Sequence, residues 1–255
     1  MKLIDGYVRS PLAGLAPWIL MAIVVGPGRF EEAASAALGL ALLTLWIGKR
    51  RGVPVHALEV FGVAYFGVLA ILGLVASDGA IEWLALWAGE LSNIALATFA
   101  IVTLLIRRPF TLAYAKDTAP PEHWDSPVFL RINYAISAVW AGAFVVSAAA
   151  GAYGDAILGD NDNFWLAWIV PLGALIFAGA FTEFYPDRAT GESDASWARA
   201  FDWLPLFVVI TGIVGWVSDE IPDTLGIALI VVGSIGSAVM RKMFPDKPAK
   251  VTGSS

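Results

Sequence analysis

Glu90 and Asn93 stand three residues apart inside the apolar stretch ALWAGELSNIALATF. One helical turn puts both on the same face. A carboxyl group in the middle of a membrane helix costs roughly 2.5–3.5 kcal/mol on insertion scales, so each one is a candidate for function. Read chemically, Glu90 is a proton or cation site; read as packing, it is a protonated or paired group that fixes a neighbouring helix. His56 and Glu59 repeat the three-residue spacing. That pair suits an interfacial ion pair or a proton relay, whereas two ligands on one turn are too few for a metal site. His123 is the only other histidine, and no spacing of the HExxH kind occurs, so no metal is expected.

A third set, Asn133, Ser137, Trp140, Phe144 and Ser147, follows helical periodicity and gives one helix a polar and aromatic face. Such a face either bonds across helices inside a bundle or lines a pocket. Arg107 and Arg108 close an apolar run, where a helix C-terminus and anionic headgroups both favour cations; they are candidate anionic-lipid contacts. Cysteine is absent, which removes disulfides, thiolate metal sites and a thiol nucleophile. No lysine falls inside an apolar span to carry a retinal Schiff base. Phosphate-binding loops, nucleophile elbows and dinucleotide fingerprints are also missing. The expectation is a non-enzyme without a cofactor, and nucleic acid finds no basic surface to bind.

The elements that position these residues follow from composition. Of 255 residues, 58% are hydrophobic and only 15% charged, with a mean hydropathy of +0.72. A soluble domain would lack the polar surface to cover such a core; a bilayer accepts apolar surface on every outer face. The fold class is therefore all-α, a polytopic helical membrane protein. Apolar segments near 11–27, 31–48, 54–76, 82–106, 127–151, 163–183, 201–217 and 222–241 give eight spans, the first and seventh short. Pro171 offers an interruption in the sixth. A single bundle is expected over 1–245, with a flexible tail over 246–255. The start of the chain, with Pro11, Pro17 and Trp18, reads as the lead-in to a first span rather than a cleaved signal.

Lys and Arg fix the expected orientation, because cytoplasmic loops retain them. With eight spans, fifteen of the sixteen basic residues fall on one side and Arg29 alone on the other. Both termini and the corner at 107–126 are then cytoplasmic. In that corner Phe110 and Tyr114 stand four apart, so a short interfacial helix buries both rings and turns Lys116 and Asp117 to water. Pro120 and Pro121 stop it, Trp124 anchors at the interface, and Ser126-Pro127 caps the next helix. Short similarities, LGLAL with LGIAL and FYPDR with MFPDK, suggest a repeated hairpin.

The Arg107-Arg108-Pro109 end of one span, the corner ending at Trp124, and the following helix with Ile132, Asn133 and Trp140 resemble the bacterial intracellular septation protein A family. FDWLPLFVV, at 201–209, resembles the opening of the first helix in those proteins, although here it opens the seventh span. The resemblance implies a multi-pass protein of the bacterial cytoplasmic membrane connected with septation or envelope synthesis, with no catalytic residue to carry over. Its expected partners are membrane lipids and either other membrane proteins or a second copy. The residues leave a second reading open, a small-molecule or lipid transporter with a polar cavity lined by Glu90, Asn93, Asn133, Ser137 and Trp140.

Overall fold

The computed structural model describes residues 10–160, 162–191 and 196–243, which are helical almost throughout. The helices are α1 (Pro11–Val24), α2 (Phe30–Arg50), α3 (Ala57–Val75), α4 (Asp78–Leu105), the short α5 (Thr111–Thr118), α6 (Pro127–Tyr153), α7 (Val170–Thr190), α8 (Leu204–Val217) and α9 (Asp223–Met243). Among the described residues, seven helical segments are long and apolar enough to cross a membrane. The chain is a polytopic helical membrane protein. The two spans expected to be short are so: α1 and α8 have 14 residues each, about 21 Å at the α-helical rise against a hydrocarbon core of about 30 Å. α8 reaches spanning length, as Trp197–Val217, only with the 3-10 turn before it, whereas α1 does not. Outward faces are apolar, with Leu74 84%, Val217 77% and Leu105 76% exposed, as a lipid-facing surface requires.

Where the sequence suggested one bundle over 1–245, contacts gather in two compact units, Met1–Ala178 and Gly179–Ser255. Hydropathy reports which segments span, not which of them pack together. The expected tail at 246–255 lies outside the described residues.

In the first unit, α2 packs between α1 and α3, and α4 packs chiefly along α6. The α2 contact face is built from Ala33, Ala34, Ala37 and Ala41, at most 5% exposed, so backbones approach closely. Trp18 of α1 stacks on Tyr65 and Phe61 of α3 at 4.7 and 5.8 Å. Phe61 stacks on Phe99 of α4 at 4.9 Å, and Phe99 meets Phe110 at the corner at 6.0 Å. One aromatic series thus links α1, α3, α4 and the corner. Ser126 caps α6 by accepting from the Phe129 amide at 3.2 Å, ahead of Pro127.

The interruption in the sixth span takes another form than a proline kink in mid-helix. Phe164–Ile169 is a π-helical turn, and α7 begins at Val170, with Pro171 in its first turn. Proline has no amide to donate back to residue 167, so the ladder widens just before it. A second π-helical turn, Gly154–Leu158, ends α6.

In the second unit α8 and α9 form a tight hairpin. A Cβ on Gly233 would stand 2.6 Å from the Pro205 carbonyl oxygen, and one on Gly212 would stand 2.9 Å from that of Gly226. Only glycine permits that approach. Phe184, Ala200 and Tyr185 form a small apolar cluster at one end, with Trp197 5.4 Å from Phe184.

Three helix ends share one geometry. After α2, the Val53 amide bonds the Gly48 carbonyl and the Gly52 amide bonds that of Lys49, with Gly52 left-handed at φ 69°. After α4, the Arg108 amide reaches Thr103 and the Arg107 amide reaches Leu104, with Arg107 at φ 60°. After α8, Glu220 reaches Gly215 and Asp219 stands at φ 59°. These are Schellman endings, in which glycine is the usual left-handed residue. Arginine and aspartate occupy two of the three.

Candidate functional site

Glu90 projects from α4 toward α6 at the level of Gly151. A Cβ at 151 would collide with the Glu90 carboxyl group, so the missing side chain makes the room it occupies. The same carboxyl group hydrogen-bonds Asp155, one turn further along in the π-helical turn. Two carboxylates have no donor between them, so this bond requires a proton on one of the pair. Asn93 turns back on its own helix instead, its Nδ2 donating to the Gly89 carbonyl at 3.1 Å. Between them, Ser92 bonds the Tyr65 hydroxyl at 3.3 Å.

The polar face of α6 closes against the corner. Thr111 Oγ1 donates to the Asn133 carbonyl at 3.0 Å and lies 2.9 Å from Ser137 Oγ. Asn133 Nδ2 donates to Phe129 at 2.9 Å, and Ser147 Oγ donates to Ala143 at 2.9 Å. Asn133, Ser137 and Ser147 are 2%, 0% and 2% exposed, and Trp140 and Phe144 are buried beside them. Of the five residues considered as one cavity lining, Asn133, Ser137 and Trp140 share this sealed seam, while Glu90 meets Asp155 and Asn93 stays on α4.

A third cluster joins the start of α3 to α5. His56 is the N-cap of α3, and its amide donates to Glu59 Oε2 at 3.3 Å while Nδ1 lies 3.2 Å from Glu59 Oε1. Its Nε2 lies 2.8 Å from Asp117 Oδ2. The ring stacks on Tyr114 at 4.1 Å. Burial alone lowers the pKa of the imidazole, but the hydrogen bonds and charges of Glu59 and Asp117 outweigh it and hold the pKa above the ordinary 6.5. The Tyr114 hydroxyl is pushed up by burial, then by the charges of Glu59 and Asp117. Both ring nitrogens of His56 are engaged, and among the described residues no group of histidines and carboxylates is arranged to hold a metal.

Asp117 corrects the expectation of a water-facing side chain. Phe110 and Tyr114 are buried as the spacing suggests, but Asp117 continues their face and its side chain is 11% exposed against His56. The pattern 110, 114, 117 was in the sequence; the charge of Asp117 concealed it. Lys116 is half-buried, its ammonium 5.1 Å over the Trp124 ring. Trp124 in turn donates to the Ala119 carbonyl at 3.0 Å. Arg107 and Arg108 are exposed at the end of α4.

Sequence reasoning also missed Asp155, Thr111 and Gly151. Gly151 and Asp155 share a helical face at a spacing of four, yet nothing in either residue points to Glu90. Comparison with known protein families, curated proteins and solved structures returns no match to this chain.

Proposed function

We propose that this membrane protein works through helix contacts with membrane partners or with a second copy of itself, in the bacterial cytoplasmic membrane and in septation or envelope synthesis. The observation that carries this reading is the sealed α6 seam: Ser137 has no exposure and its hydroxyl is bonded to Thr111. The polar groups of that helix are used inside the fold rather than along a wet passage. What remains outward is apolar, with small residues in places. Ser35, Ala36 and Gly39 of α2 are exposed, and nothing lies within 4 Å of a Cβ built on Gly39. Ser35 and Gly39 stand four apart, the small-xxx-small spacing that lets another helix approach closely, where van der Waals packing drives association in lipid.

The test is self-association and partner recovery in native-like vesicles, comparing the wild type with Gly39→Leu. A leucine on the ridge holds a second helix off. Reduced dimer signal or lost partner recovery is expected; association unchanged by Gly39→Leu and by Ser35→Leu sinks the reading.

The Glu90–Asp155 pair favours a second reading, a carrier coupled to protons or another small cation, because ionisable residues that meet inside a span mark proton and ion pathways. Glu90→Gln separates the two. Gln keeps the shape and a hydrogen bond to Asp155 but cannot release a proton. Under the contact reading cells retain activity, whereas a folded, inserted and inactive variant moves the carrier reading ahead.

A further inference from the structure

Two buried donors in the first unit have no hydrogen-bond partner among the described residues: Trp18 Nε1 and Tyr114 Oη. Each residue is 4% exposed. An unbonded buried donor costs about 1–3 kcal/mol, so each of the two calls for a partner. Both lie beside glycines that line the same small cavity. It measures about 10 Å³ and is lined by Gly14, Pro17, Thr44, Glu59 and Gly62, among others. Tyr114 Oη lies 3.0 Å from a Cβ built on Gly14. A Cβ built on Gly62 would come into ordinary contact with Trp18 Nε1, at 3.4 Å.

The geometry points to a binding site for one water molecule between α1, α2 and α3, accepting from Trp18 Nε1 and Tyr114 Oη and donating to the Glu59 carboxylate. Size and chemistry agree. A cavity of about 10–15 Å³ holds a single water, which needs two to four polar partners, and Thr44 supplies a hydroxyl on the same wall. A metal cation is a poor occupant, because an indole N–H presents only a proton to it. Glu59 also bonds the His56 amide and ring, and His56 bonds Asp117. With the water in place, one polar network runs from α1 through the start of α3 to α5. Glu59 is its centre: one carboxylate caps a helix, holds an imidazole and receives the water.

Gly62→Ala tests this with a change of sign. A methyl group at 62 adds volume at the cavity wall, beside Trp18 Nε1, and meets no atom closer than 3.4 Å, so it takes up space there without a clash. If a water is bound, the methyl expels it and strands two donors; the apparent Tm of the full-length protein in lipid falls by several degrees. If the cavity is dry, the methyl adds packing and helix propensity, and the Tm rises. A rise or no change overturns the proposal. A structure at a resolution that shows ordered water gives the direct measurement on the wild type: density within hydrogen-bond reach of Trp18 Nε1, Tyr114 Oη and Glu59 is expected, and its absence there, or an ion with coordination distances instead, overturns the assignment.

Discussion

The Glu90 carboxyl group occupies the space beside Gly151 that a side chain at 151 would fill. Glycine in a helix interior is destabilising by about 0.5–1 kcal/mol relative to alanine, so α6 gives up intrinsic helix stability here and gains a place for a polar group. That relationship makes 90 and 151 one unit.

Gly151→Ala therefore displaces the carboxyl group and breaks its bond to Asp155. Losing that bond costs about 1–3 kcal/mol, partly offset by the alanine gain, so a net loss of roughly 1 kcal/mol is expected. Glu90→Ala removes the obstacle. In a double-mutant cycle on thermal stability, Glu90→Ala with Gly151→Ala should be more stable than the sum of the single changes implies. Strict additivity would mean that the two positions do not touch.

Arg107 takes the backbone conformation that Gly52 takes at the end of α2. A left-handed residue with a side chain costs about 1–2 kcal/mol, and glycine returns part of that as unfolded-state entropy. Arg107→Gly should raise stability by about 0.5–1 kcal/mol, while Arg108→Gln leaves it unchanged. If both arginines contact acidic lipid, each contributes about 1 kcal/mol there, and both variants co-purify with less of it. Arg107→Gly lowering the melting temperature would contradict the argument from strain.

His56 links stability to pH. Its pKa is raised above 6.5 in the folded chain, so the contribution is fully present below 6.5 and is lost as pH rises through the higher folded value. Unfolding midpoints measured across that window should fall with rising pH in the wild type. In His56→Gln the slope should flatten, since the amide nitrogen can donate to Asp117 but does not titrate. A slope unchanged by His56→Gln would assign the pH dependence to other groups.

Span positions were legible because length and apolarity are properties of a segment taken alone. The His56–Glu59 contact was legible for the same reason, both residues lying on one turn. Asp155, Asp117 and Thr111 were hidden because each finds its partner across a tertiary interface, where the sequence separation is 65, 61 and 22–26 residues. Periodicity told which face of α6 is polar but could not tell a lined passage from a sealed seam. That difference depends on Thr111, a residue on another element whose hydroxyl closes the gap. The left-handed Arg107 and Asp219 were equally hidden, since a glycine marks such a turn in sequence and these residues do not.

Sidedness can be tested at the two ends of α6. Lys116 lies in α5, just before the helical segment Pro127–Leu158, and Asp160 lies just after it. That segment has 32 residues, about 48 Å at the α-helical rise, enough to cross a hydrocarbon core of about 30 Å with tilt to spare. Its outward residues Val145, Val146 and Ile157 are 47%, 48% and 67% exposed, suited to lipid. The basic residues Arg107, Arg108, Lys116 and Arg131 all lie at the α5 end, with acidic residues Asp155, Asp160 and Asp162 at the other. Positive charge resists export. Reporter fusions at Lys116 should therefore read cytoplasmic and those at Asp160 external. The same side for both would mean that Pro127–Leu158 does not cross, and would undo the orientation assigned from the basic residues. The opposite order, Asp160 inside, would keep the span and reverse the whole protein, placing the His56–Asp117 cluster on the external face.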